Sequence, residues 1–250
     1  MKNAQLWRAL GRNILISLVL FAALLGLLWL AELLFPSLSL LHWDDAAWVV
    51  GIPASIIGVA YILTIRDPQN YTGFYAGIVM SVLLGVQFIL QGGYDSAVLF
   101  FLVFVAFQIK SIINWSKPAP ADDAPFAPEF MSLRALLLSL LALVVVTLAD
   151  YVLVTYLFSH DSLTDAIAAK LCNGLLISSS VLANFWLIYR KTDAWLYWVL
   201  YSAAGIVLFV MLGNIFSIVL FLFFLVINAM AGISWIKMTP RDNYGWLKGR

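Results

Sequence analysis

Between Asn184 and Ser202 the chain reads N-F-W-L-I-Y-R-K-T-D-A-W-L-Y-W-V-L-Y-S, crowding an amide, tryptophans, tyrosines, a basic pair and an acid into an otherwise greasy sequence. Trp195 and Trp198 are three residues apart, so on a helix they share one face and present an aromatic surface about one turn long. That surface suits stacking of a flat ring or capture of a soft cation. The same residue types also hold helix ends at the membrane–water boundary, where Trp and Tyr concentrate.

Other polar side chains interrupt the apolar runs. Gln108 and Asn228 lie deep in hydrophobic stretches, as do Gln87 and Asn184. A polar group in a membrane helix is costly and needs a partner or a task. These amides either hold a polar ligand or hydrogen-bond neighbouring helices. Ser178, Ser179 and Ser180 are placed to bond back to their own helix carbonyls. Asp150 is the only acid well inside a span and reads as structural or water-facing.

The elements that must position these groups follow from composition. Of 250 residues, 64% are hydrophobic and 11% charged, and the mean hydropathy is +0.98. A soluble domain carries about a quarter charged residues; here lipid is the solvent. Eight runs reach the roughly 20 residues that cross a hydrocarbon core as helix: Asn13–Leu34, Ala47–Ile65, Tyr71–Leu90, Ser96–Trp115, Ser132–Tyr156, Ala166–Tyr189, Trp195–Leu212 and Ile215–Ile236. They lack the period-two alternation of a membrane barrel, so the fold class is all-α. The first run is too long for the core of a signal peptide, and no small-residue cleavage site follows it.

Charge predicts the orientation. With both termini cytoplasmic, every Lys and Arg except Lys170 falls on the inner side, while Asp44, Asp45, Asp95, His160, Asp161 and Asp165 fall outside. His42 and His160 are not spaced as metal ligands. A net charge of +1 argues against nucleic acid as a partner, and a single cysteine, Cys172, excludes an intramolecular disulfide and a cysteine metal cluster. No phosphate-binding loop or catalytic constellation is present, so neither ATP-driven pumping nor an enzyme is expected. The scarcity of acids and histidines along the spans argues against a proton relay and for passive, gated passage.

A repeat is legible within the chain. The stretch G-G-Y-D-S-A-V-L-F-F-L-V-F-V-A-F-Q-I-K-S-I-I-N-W-S-K overlays without gaps on L-G-N-I-F-S-I-V-L-F-L-F-F-L-V-I-N-A-M-A-G-I-S-W-I-K. This pairs Gly93 with Gly213, Phe101 with Phe221, Gln108 with Asn228, Trp115 with Trp235 and Lys117 with Lys237. Upstream, pairing Arg66 with Arg190 sets Tyr71 and Phe74 opposite Trp195 and Trp198. Two odd-numbered triplets keep one orientation only when a single helix separates them. The expected architecture is an N-terminal anchor helix with its outer loop (1–46), a three-helix repeat (47–117), a proline-punctuated cytoplasmic linker (118–131), a connecting helix (132–160), a second repeat (161–237) and a cytoplasmic tail (238–250). These 3+1+3 parallel repeats are a transporter architecture, with the substrate site near the midplane.

R-K-T-D-A-W-L-Y-W, A-F-Q-I-K-S-I-I-N-W and the closing W-x-K pair together resemble the PnuC-type nicotinamide riboside transporters, over roughly Trp48 to Lys237. The resemblance implies a multi-pass facilitator of the bacterial inner membrane, a homotrimer with a fold like a full-length SWEET sugar transporter. Its substrate enters unphosphorylated and is trapped by a separate cytoplasmic kinase. Carried over by motif, Trp195 and Trp198 match the family's tryptophans and Gln108 its amide. Where the family often has Asn or Asp four residues after the second tryptophan, this chain has Ser202; relatives on the same fold carry thiamine or riboflavin. A non-transporting receptor or scaffold is the reading from another class.

A pyridinium ring is flat and cationic and gains about 0.5–2 kcal/mol on an aromatic face, while carboxamide and ribose call for neutral donors and acceptors. A phosphorylated substrate would call for Arg or Lys inside the membrane, which excludes the mononucleotide. The candidate substrate set is Trp195, Trp198, Gln108, Asn228, Asn184, Gln87, Tyr201 and Ser202, with no catalytic residue, no metal ligand and no cofactor.

Overall fold

The computed structural model describes residues 3–36, 40–90, 94–117, 127–156 and 166–240. His160, Asp161, Asp165, Gly93, Lys2, Arg241, Lys248, Arg250 and most of the proline-punctuated linker lie outside them. All named elements among the described residues are helical: α1 (Asn3–Leu34), α2 (Ala46–Ile65), α3 (Gly73–Leu90), α4 (Tyr94–Val98), α5 (Val105–Trp115), α6 (Leu133–Tyr156), α7 (Ile167–Ile188), α8 (Ala194–Met211) and α9 (Ile215–Met238). Leu99–Phe104 forms a π-helical stretch that joins α4 to α5. Eight of the resulting helices are long and apolar enough to cross a membrane. The reason is solvent: without water in the bilayer core, a spanning segment must satisfy its own backbone, and a helix does so.

The chain divides into two compact units, Met1–Ser116 and Lys117–Arg250. In the first, α1 packs on α2, α2 on α3, and the broken fourth span on α3. Helix α1 starts ten residues before the expected Asn13, since nothing between Asn3 and Asn13 breaks a helix and Arg8 and Arg12 stay exposed. It is fastened to its unit: the buried Asn13 amide donates to Thr64 Oγ1 at 3.0 Å, and Thr72 Oγ1 donates to the Leu6 carbonyl at 3.3 Å. At its far end Glu32 accepts from the backbone of Leu40 and Leu41, and Asp45 caps α2 through Ala47 N–H.

The fourth span departs from the plain helix expected over Ser96–Trp115. Its π stretch widens the helix one turn before Gln108, where Phe100 stacks on Phe88 with centroids 5.3 Å apart. Wide turns of this kind are often found at functional sites. No residue type in L-F-F-L-V-F announces it.

In the second unit α6 packs on α7, α7 on α8, and α8 on α9. The α6–α7 joint is closed by polar contacts: Thr147 Oγ1 with Ser178 Oγ at 2.8 Å, Asn173 Nδ2 donating to Asp150 Oδ2 at 3.3 Å, and Trp186 Nε1 donating to Ser139 Oγ at 2.8 Å. Gly174 allows the close approach, because a methyl there would sit 2.6 Å from the Thr147 carbonyl oxygen. The α8–α9 turn uses Gly213 at φ 68° and Asn214, whose side chain caps α9 at Ser217 N–H.

A strap fixes the start of α8. Thr192 N–H donates to the Glu129 carbonyl at 2.8 Å, Glu129 N–H to the Arg190 carbonyl at 3.2 Å, and Met131 N–H to Asp193 Oδ2 at 2.6 Å. Lys191 pairs with Glu129 at 2.7 Å, and Thr192 and Thr239 share a hydroxyl bond of 2.8 Å that reaches the end of α9. Arg190 sits in this turn at φ 52°, its guanidinium lowered to about 10 by burial and still charged at neutral pH. Burial raises the Asp193 carboxyl, opposed by the Met131 bond and the charge of Lys191.

Two outcomes follow from these contacts. Gly174→Ala must push against backbone and is expected to cost about 1–3 kcal/mol, whereas Gly11→Ala, with nothing within 4 Å of the new methyl, gains up to about 1 kcal/mol of helix propensity. Melting temperatures of the two variants in detergent check the contrast. For Asp193, a raised folded-state pKa means that the stability contributed by its proton is fully present below the ordinary carboxylate pKa. It is lost as pH rises through the raised value. Asp193→Asn keeps an acceptor for Met131 N–H but does not titrate, so the wild type should gain melting temperature relative to this variant as pH falls from neutral into the acid range.

Candidate functional site

The α8–α9 joint gathers five of the sequence candidates: Trp195, Trp198, Tyr201, Ser202 and Asn228. Trp195, second residue of α8, is 2% exposed and meets the buried Trp235 edge to face, with centroids 5.5 Å apart at 75°. Trp198, one turn on, meets Tyr201 at 5.4 Å and 86°, and Tyr201 leans on Phe221 at 5.2 Å. Boundary anchors would be exposed; these rings are inside the protein.

Asn228 ties the two helices. Its Nδ2 donates to Ser202 Oγ at 3.1 Å and to the Trp198 carbonyl at 3.3 Å, while Ser202 Oγ donates to that carbonyl at 2.9 Å. Ser202 is therefore a partner of Asn228 across the joint. Three polar atoms in this joint are buried without a hydrogen-bond partner among the described residues: Trp195 Nε1, Trp198 Nε1 and Asn228 Oδ1. A buried orphan costs about 1–3 kcal/mol. Two donors and one acceptor beside aromatic rings are groups that a neutral polar ligand with a flat ring would use.

The first unit has a related joint. Phe74, second residue of α3, meets Trp115 edge to face at 4.7 Å and 87°. Ser81 Oγ donates to the Gly77 carbonyl at 2.8 Å, as Ser202 does to that of Trp198. Gln108, 1% exposed, donates from Nε2 to the Tyr61 hydroxyl at 3.5 Å.

This geometry corrects the overlay of Tyr71 and Phe74 on Trp195 and Trp198. Counted from the helix start, Phe74 answers to Trp195 and Gly77 to Trp198, while Tyr71 lies in the turn before α3 with its hydroxyl 3.4 Å from Asn3 Oδ1. The α2–α3 connection runs over residues 66–72 and the α7–α8 connection over 189–193, two residues shorter, so a gap-free overlay slips across the turn. At the helix start, the aromatic pair one turn apart is present in α8 and not in α3.

The other candidates stand apart. Asn184 donates back to the Ser180 carbonyl at 2.9 Å within α7. Gln87 packs its amide on α2 at Gly51, where a methyl would lie 2.8 Å from Nε2. Ser179 and Ser180 bond to their own helix, as their spacing predicts, and Ser178 does so while also reaching Thr147. Sequence reasoning passed over Tyr61 and Gly77. A buried tyrosine in an apolar run and a helix glycine carry no signal until the facing residue is known. Trp235 was visible only as part of the closing W-x-K.

No curated protein sequence matches the chain. Among solved structures it is similar to the crystal structure of the vitamin B3 transporter PnuC, with a TM-score of 0.62 and 17% identity over 92% of this chain and 97% of that one, a likeness of fold. The family model described as nicotinamide mononucleotide transporter matches residues 47–237, and the chain belongs to that family.

Proposed function

We propose that the protein carries vitamin B3 across a bacterial inner membrane as nicotinamide riboside, by passive gated diffusion, with a cytoplasmic kinase trapping the product. The observation that carries this reading is the α8–α9 joint, in which the indole N–H groups of Trp195 and Trp198 and Asn228 Oδ1 are buried and unpartnered among the described residues. Two donors and an acceptor match ribose hydroxyls and a carboxamide. The rings offer the pyridinium a stacking and cation–π face. Gln108, buried and bonded to the Tyr61 hydroxyl at a long 3.5 Å, is read as a further substrate-contacting amide.

The riboside is preferred to the mononucleotide on charge. A phosphate needs fixed cations or a cluster of backbone donors. Among the described residues of the eight spans, Arg8, Arg12, Lys110, Arg134 and Lys237 are exposed and Lys170 is half-exposed. Arg190, the one buried Lys or Arg among the described residues, lies outside the spans in the α7–α8 turn. The matching local joints of α3 with α5 and of α8 with α9 support parallel three-helix repeats around a connecting α6. The bias of Lys and Arg supports cytoplasmic termini, and the family resemblance a homotrimer.

Passive transport draws support from Asp150. Its carboxylate is bonded by Asn173 in a close-packed α6–α7 joint, a setting that suits a structural role better than a proton relay. Purified protein in liposomes should then equilibrate labelled nicotinamide riboside without accumulating it under a proton or sodium gradient, and enclosed kinase with ATP should produce net retention. Accumulation driven by an ion gradient and abolished by Asp150→Asn would make the protein a symporter. Trp198→Leu keeps the site apolar but removes its ring and N–H, and calorimetry should show riboside binding weakened about tenfold or more. Unchanged affinity in a folded, monodisperse variant would remove Trp198 from the site.

A further inference from the structure

The two joints differ at one matched position. The fifth residue of α3 is Gly77 and the amide opposite it is the longer Gln108; the fifth residue of α8 is Trp198 and the amide opposite it is the shorter Asn228. Bulk on one helix is traded against amide length on the other.

The fit at Gly77 is tight. A methyl built there would lie 2.7 Å from Gln108 Cδ, 2.7 Å from Oε1 and 3.1 Å from Nε2. These three closest atoms all belong to the amide head of one flexible side chain, so the tightest contacts are with a group that can move. One neighbouring constraint is Tyr61, fully buried, whose hydroxyl accepts from Nε2 at 3.5 Å. That bond is long and by itself a weak restraint.

We infer that Gly77 is the positioning residue for Gln108: the missing side chain lets the amide lie against the α3 backbone, and this contact sets how far the amide reaches toward the substrate. The inference rests on the proposed reading of Gln108 as a substrate-contacting amide. It goes beyond that reading by assigning a role to a residue with no polar side chain of its own. In Gly77→Ala the amide yields and the fold does not, so stability and binding separate.

The test is calorimetric titration of nicotinamide riboside into the full-length detergent-purified protein, alongside melting temperatures. Gly77→Ala should keep its melting temperature within a few degrees and bind about tenfold more weakly, the size of one misplaced ligand hydrogen bond. Gln108→Asn alone should also weaken binding, because the amide is withdrawn by one methylene. The double variant Gly77→Ala/Gln108→Asn copies the second unit's trade and should bind more tightly than Gly77→Ala alone, a coupling that a purely structural glycine would not produce. Unchanged affinity in Gly77→Ala overturns the inference, as do strictly additive losses in the double variant, or failure of Gly77→Ala to fold. If Gln108→Leu folds and binds normally, the reading of Gln108 itself fails, a result distinct from the others.

Discussion

Asn228 reaches the Trp198 carbonyl and the Ser202 hydroxyl at a depth where no water competes for either. In a soluble protein this would be one hydrogen bond among many, exchanged against solvent at a small net gain. Within an apolar bundle it joins α8 to α9, and the aromatic contacts of Trp195 with Trp235 and Trp198 with Tyr201 are arranged around it. The amide nitrogen is consumed in this tie. The amide oxygen and the two indole nitrogens remain, so the same residues that hold the joint together also leave it chemically incomplete. The sequence posed a choice between packing amide and ligand amide; the nitrogen of Asn228 does the packing, and its oxygen is left over.

The same economy recurs where polar residues meet between helices. Asn13 fastens α1 through Thr64, and Thr147 meets Ser178 across the α6–α7 joint. In each case a side chain that would be costly alone in lipid is matched by one from a neighbouring helix, and glycine or a small hydroxyl residue supplies the approach. The strap of Glu129 and Met131 on the turn of Arg190 to Asp193 extends the logic beyond the spans, fixing the first turn of α8 by backbone bonds.

The two units show how similar joints diverge. Both pair an aromatic second residue with a buried tryptophan, and both return a serine hydroxyl to the carbonyl of the fifth residue. They part at the fifth side chain, glycine in one and tryptophan in the other, and in the length of the facing amide. Divergence at a matched position gives the two joints different chemistry on one helical plan.

What the sequence by itself determined was what local sums determine. Hydropathy adds along a window, so the eight apolar helices could be read directly, with boundaries off mainly at Asn3, where nothing breaks the helix. Helical spacing put Trp195 and Trp198 on one face, and short motifs carried the family resemblance. Tertiary structure decided whatever depends on two residues far apart in the chain: that the tryptophans point inward to Trp235 and Tyr201, that Ser202 serves Asn228, that Gln108 rests on Gly77. It also decided which residues of α3 and α8 correspond, because a connection two residues shorter leaves no trace in composition or period yet displaces an overlay carried across it from Arg66 and Arg190. Hydrogen bonds and ring contacts are pairwise and act over a few ångströms, so they exist only once the helices have been set side by side.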